Sequence, residues 1–280
     1  MIRDTDAEEH DFELDGWARF DMPNEDYYDT QQFAEDFTAY DGSEVWRFIH
    51  DKIAFHDDTL LDEYDAENWK ADFNKAVSGL HSMISAQVVL GLEGKLANGE
   101  ELADDCEWRD PKVEFARRLS PSGETPKALE NLYFCYMLIL SAVKTARDRL
   151  LQDCGVGKID AHAAQKLRLV LSHPLLDTPS ISVASIKLHD HAVQDDTSLW
   201  EARMRSRELF RIMNCVQCNK CRFHGKISSL GLSTALQILL GGSGEGGDPT
   251  RVHRVELAAL MTTLAKFSTA ISYCQKMTSS

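Results

Sequence analysis

The spacing of Phe73, Val77, Leu80, Ile84 and Val88, at i, i+4, i+7, i+11 and i+15, constrains this chain more than any other feature. Only a helix brings such residues onto one face, and an apolar stripe that long must be covered by other elements. It predicts a helix from about Trp69 to Leu92. The spacing Val45, Phe48, Ile49, Ile53 predicts a shorter one from Glu44, and another is expected over Glu107–Leu119. Ser120-Pro-Ser-Gly-Glu-Thr-Pro126 is a breaker with turn chemistry. Pro126 suits the opening of a helix that runs from Lys127 to about Asp153, where Cys154-Gly155 closes it. Helices are also expected over 160–172, 196–214, 219–240 and 252–274. Ser172-His-Pro174 ends the first of these, and 173–195 reads as a long ordered loop. Strand signals are scarce and no repeat is found. The expected fold is mainly α, a single-domain helical bundle over residues 1–280 with long irregular loops. Residues 1–36 form an acidic irregular segment and 241–250 a Gly-rich flexible linker.

Charge narrows the function classes. The formal net charge of −15 argues against nucleic acid as a partner. No apolar run reaches the ~20 residues of a membrane span, so membrane association is at most peripheral. Met1-Ile2-Arg3-Asp4 has no apolar region of a signal peptide. Residues 1–36 hold thirteen acidic side chains against Arg3 and Arg19. Residues 203–226 invert this balance: Arg203, Arg205, Arg207, Arg211, Lys220, Arg222 and Lys226 face only Glu208.

That basic island surrounds Cys215-Val-Gln-Cys218-Asn-Lys-Cys221, three of the seven cysteines of the chain. An odd count with one tight cluster is not a dispersed disulfide framework, and a chain this long needs no disulfides for stability. Two chemistries fit the residues. A CxxC pair at a helix N-terminus, near Lys220, Arg222 and Lys226, suits thiol–disulfide exchange, because the helix dipole and the cations stabilise a thiolate. Cys215, Cys218, Cys221 and His224 also have zinc-ligand spacing, although four ligands spaced by three on one continuous helix cannot converge on an ion. An iron–sulfur run fails at Gly225.

The segment from Cys215 through His224-Gly-Lys226 and on to Gly231-Leu-Ser-Thr-Ala-Leu-Gln-Ile-Leu-Leu240 resembles the active-site helix of the endoplasmic oxidoreductin family, the flavin thiol oxidases of the endoplasmic reticulum. Three further stretches agree in order. Phe37-Thr-Ala-Tyr-Asp-Gly-Ser-Glu-Val-Trp46 is similar to the family's Tyr-Thr-Gly-Tyr-x-Gly-Pro-x-Ala-Trp. Val77-Ser-Gly-Leu-His81 matches its Ser-Gly-Leu-His, and Asn131-Leu-Tyr-Phe-Cys-Tyr136 its Asn-Leu-Tyr-Phe-x-Tyr.

The resemblance implies FAD held between helices, a redox-active Cys218–Cys221 disulfide, and Cys215 as a peripheral or regulatory thiol. It implies that Trp46 and His81 supply flat partners for the cofactor's rings, with Ser78 and Thr38 as hydrogen-bonding partners. It also implies a protein disulfide isomerase-like dithiol partner, electron transfer to molecular oxygen with hydrogen peroxide as product, no resident metal, and residence in the endoplasmic reticulum lumen. Consistently, no dinucleotide-binding G-x-G-x-x-G follows a strand.

The chain also departs from the family. Asp36, Ala128 and Ser141 stand where the resemblance expects arginines, so the FAD diphosphate needs another cation. Lys127 is the first substitute, ahead of Arg47, Lys144 and Arg147. The alignment at Trp46 needs a three-residue gap; without it Ile49 falls on the tryptophan position. The upstream CxxxxC shuttle pair is absent and Ala54 replaces a cysteine. Cys106 or Cys154 would then serve as shuttle, whereas Cys135 reads as a buried inert thiol. A zinc-binding interaction module, or a relative that has lost FAD, are the alternatives.

Overall fold

The computed structural model describes residues 43–53, 68–99, 110–119, 125–155, 161–176, 196–214, 219–240 and 252–278. None of these lies in a strand. In chain order the described helices are α1 (Ser43–Ile53), α2 (Asn68–Ala97), α3 (Pro111–Leu119), α4 (Thr125–Thr145), α5 (Arg147–Gly155), α6 (Ala161–Leu171), α7 (Asp196–Asn214), α8 (Asn219–Leu240) and α9 (Arg254–Thr278). The acidic segment 1–36, the loop 177–195 and the linker 241–250 lie outside the described residues.

Local sequence accounts for where several helices begin. The Asp110 carboxylate accepts the Lys112 N–H at 2.8 Å, and Pro111 occupies the first helical position, where no N–H is needed. At α9 the His253 N–H donates to the Glu256 carboxylate at 2.7 Å, half of a capping box. Glu256 is buried, which pushes its carboxyl up, while His253 pulls against that.

Two expectations need correction. The helix expected from Glu107 begins at Pro111, because Asp110 caps it. Residues 127–153 form two helices, with a turn at Ala146. The Ser141 hydroxyl donates to Met137 O at 2.8 Å and that of Thr145 to Ser141 O at 3.0 Å. The amide ladder continues through the turn, with the Ala146 N–H on Ala142 O and the Leu150 N–H on Ala146 O, both at 2.9 Å. Periodicity alone does not register such a turn.

Helices α2, α4, α8 and α9 pack on one another pairwise and form the core. The stripe that opens α2 supplies Phe73, Val77 and Leu80, all buried, against Leu132, Leu138 and Ile139 of α4 and Phe267 of α9. Two glycines set how closely these helices approach. A Cβ on Gly79 would collide with Asn131 O and Cys135 of α4, and one on Gly231 with Thr263 and Ala259 O of α9. Around this core, α3 covers α2 and α4, α7 lies on α8, and α1 lies on α7, its last carbonyl (Ile53) accepting from Arg205.

Candidate cofactor site

Three helices converge where α1 meets α2. Trp46, 1% exposed, projects from α1 onto His81 of α2, with ring centroids 4.6 Å apart and planes within 10°. His50, one turn beyond Trp46, tilts against both, 6.0 Å from His81 and 6.4 Å from Trp46. Ser78 precedes His81 by one turn and is partly buried. Ile49, the other candidate for the tryptophan position, is wholly buried in the hydrophobic core, whereas Trp46 makes the stack.

Charge near the stack comes from α3. Glu114 is followed at i+3 and i+4 by Arg117 and Arg118. Arg117 grips the carboxylate with two bonds, Nε to Oε2 at 2.9 Å and Nη2 to Oε1 at 2.8 Å. Arg118 donates from Nε to the same Oε1. The side chains of Arg118 and Glu114 are 4% and 5% exposed, and that of Arg117 is 48% exposed. One buried carboxylate therefore serves two guanidiniums, of which that of Arg118 is sheltered from water. The charge of Arg118 is felt at His81. Burial, then His50, then Arg118 hold that imidazole down to about 3, so it is neutral at physiological pH. Burial pushes the Glu114 carboxyl up, but the hydrogen bonds and charges of Arg117 and Arg118 outweigh it and keep it below the usual range.

The residues singled out from sequence fall differently. Trp46 and His81 are brought together and Ser78 stands beside them. Lys127 is exposed in the first turn of α4. Thr38, Cys215 and Cys218 lie outside the described residues, as does Cys106. Cys221 is the third residue of α8, which begins at Asn219, so a helix N-terminus follows Cys218 in the chain. Cys135 is wholly buried in α4 and burial pushes its thiol well up, which makes it an inert thiol. Cys274 is likewise buried and pushed up to about 11.

Much of the basic island is tied up locally. Arg205 pairs with Glu201 at 3.1 Å and Arg211 with Glu208 at 3.6 Å, and Lys226 lies over the Phe210 ring. Lys266 of α9 adds a cation beside the first turns of α8. Its ammonium meets His224 Nδ1 at 3.4 Å and Ser228 Oγ at 3.2 Å, and burial lowers it to about 8.

Sequence reading missed His50, Glu114 and Arg118. The i, i+3, i+4 pattern of one acid and two arginines was the available signal, but on an isolated helix it reads as a solvated ion pair.

Among the described residues the fold is a strand-free bundle, and two buried rings stacked across α1 and α2 define a helical class of site suited to a flat ligand. The sequence profile described as Endoplasmic Reticulum Oxidoreductin 1 (ERO1) matches residues 2–274, and the chain belongs to that family. It is similar to the Ero1-like protein of Drosophila melanogaster, 29% identical over 95% of this chain and 64% of the relative. It is also similar to ERO1-like protein alpha of Xenopus tropicalis, 27% identical over 94% of this chain and 63% of the relative. The chain thus spans slightly less than two thirds of their length. In fold it is similar to the crystal structure of a double cysteine mutant of Ero1p, with a TM-score of 0.62 and 24% identity over 84% of this chain and 63% of that one. A second structure, of Ero1p as the source of disulfide bonds for oxidative protein folding in the cell, aligns with a TM-score of 0.57 and 23% identity, covering 84% of this chain and 62% of that one.

Proposed function

We propose that the chain is an FAD-dependent thiol oxidase of the endoplasmic reticulum lumen that makes disulfides in a protein disulfide isomerase-like partner. The observation that carries this reading is the Trp46–His81 stack in a chain of this family. The residues fit the cofactor: neutral flat rings match its ring systems, and guanidiniums are the groups that bind a diphosphate. In this reading Trp46 and His81 hold a ring, Ser78 and Thr38 hydrogen-bond to the cofactor, and Arg118 neutralises phosphate. Lys127 is a second, exposed cation for the same diphosphate. When bound, FAD supplies the two-electron acceptor and the route to oxygen.

The protein's own part is thiol exchange. A partner thiolate attacks an outer disulfide, a mixed disulfide forms, and the partner's second thiolate displaces it. The two electrons and two protons that the partner loses reduce Cys218–Cys221 to two thiols, with Cys221 the proximal one and Cys215 peripheral. Returned as a pair to molecular oxygen, they give hydrogen peroxide and restore the Cys218–Cys221 disulfide. Placement at the start of α8, with Arg222 and Lys226 following, favours the thiolate form that exchange needs.

Replacing both Cys218 and Cys221 by alanine should abolish thiol-dependent oxygen uptake while the purified protein keeps its flavin absorbance. Uptake at the wild-type rate would overturn the assignment. Colourless protein carrying stoichiometric zinc would instead support the interaction module.

A further inference from the structure

Phe223 lies two residues past Cys221 in the first turns of α8 and is 60% exposed. Residues two apart on a helix do not share a face, so register puts Phe223 on the far side of α8 from Cys221. Helical side chains lean toward the N-terminus, so the ring stands over the first turn of α8, the turn that follows Cys218 in the chain. A single exposed phenyl ring is ordinary by itself. Its surroundings are not. On one side the exposed His224 ring meets it edge on, with centroids 5.6 Å apart. Lys266 of α9 in turn approaches His224 Nδ1 at 3.4 Å. On the other side Lys226, one turn further along α8, lies 5.0 Å over the Phe210 ring of α7. Among the described residues no carboxylate pairs with Lys226 or Lys266. The stretch 209–240 contains no acidic residue, in a chain that has 45 of them.

We infer that this face of α8 is where the dithiol partner docks: Phe223 enters an apolar spot on the partner, and Lys226 and Lys266 meet acidic side chains around the partner's thiol pair. The inference rests on the oxidase reading given above and adds the surface that holds the partner. Charge decides which kind of surface fits. At −15 the chain as a whole repels an acidic face, and the acid-free start of α8 attracts one. An acidic thiol-bearing face is therefore steered to this end of α8, beside Cys218 in sequence, and turned away from the rest of the molecule. The exposed ring then supplies the desolvated aromatic anchor that dominates most interfaces.

The test takes two measurements on the flavin-loaded full chain. One is equilibrium binding of protein disulfide isomerase whose reactive cysteines are replaced by serine. The other is oxygen uptake driven by dithiothreitol, which is too small to need a docking surface. Phe223→Ala should weaken binding by about tenfold or more and leave uptake within about twofold. Phe223→Trp keeps a ring and should bind within about threefold of wild type. Raising salt from about 0.05 to about 0.3 M should weaken wild-type binding by about threefold or more. Undiminished binding by Phe223→Ala, or no binding by wild type, would overturn the inference. So would equal losses in binding and uptake, which mark a merely structural role. If Phe223→Ala instead loses affinity for vesicles of phosphatidylserine and phosphatidylcholine, or loses self-association, the face belongs to a membrane or to a second copy and the inference fails. Wild-type protein that takes up no oxygen with dithiothreitol would remove the oxidase reading, and this inference with it.

Discussion

At the scale of single residues, the site works by contrast between neighbours. His81 carries no charge at neutral pH because burial, His50 and Arg118 all oppose protonation, whereas Glu114 stays charged because two guanidiniums outweigh its burial. The His81 contrast has a measurable consequence for stability. A histidine with a folded-state value near 3 and an unfolded value near 6.5 binds more protons when unfolded, so acid favours unfolding between those limits. Stability is then complete above pH 6.5 and falls as pH drops toward 3, by up to about 2 kcal/mol at pH 5 from this residue alone. His81→Phe keeps a ring against Trp46 and cannot titrate. Denaturant unfolding at pH 7 and pH 5 should therefore show a smaller acid loss in the variant than in wild type. Equal losses would mean that His81 is not held neutral.

At the scale of elements, helix contact is set as much by what is missing as by what is packed. Gly79 lies in the same Ser-Gly-Leu-His motif as the site residues, two positions before His81, and its hydrogen lets α2 come against the backbone of α4 at Asn131. Gly79→Ala must push the two helices apart, at a cost of about 1–3 kcal/mol from overpacking. Urea unfolding at fixed pH measures this loss. Because His81 rides on the displaced helix, FAD affinity should weaken as well. A variant as stable as wild type would show that the approach is not tight. The turn at Ala146 is the opposite case. Apolar spacing predicts an unbroken helix there and carries no signal for the turn.

At the scale of the whole molecule, stability should be unevenly distributed. Helices α2, α4, α8 and α9 each touch the other three, whereas α5 and α6 lie mainly against each other, with Leu169 and Val170 of α6 exposed. Amide hydrogen exchange followed by mass spectrometry should accordingly be slowest in the four core helices and fastest, among the described helices, in α6. Uniform protection would contradict a core so divided.

What could be read from the chain alone was whatever repeats or clusters locally. The stripe from Phe73 to Val88 and the Cys215–Cys221 run are each complete within one segment, so helix positions and candidate chemistry followed from short-range rules. The convergence of Trp46, His81 and Arg118 depends on how three helices, far apart in sequence, settle against one another. No spacing rule spans those gaps, because α1 is carried on α7 while α2 and α3 pack on α4, and the chain between them does not fix these contacts. For the same reason the spacing rules offer Lys127, next to a vacated arginine position, as a cation, while only the folded chain shows that Glu114 and Arg118 pair out of reach of water.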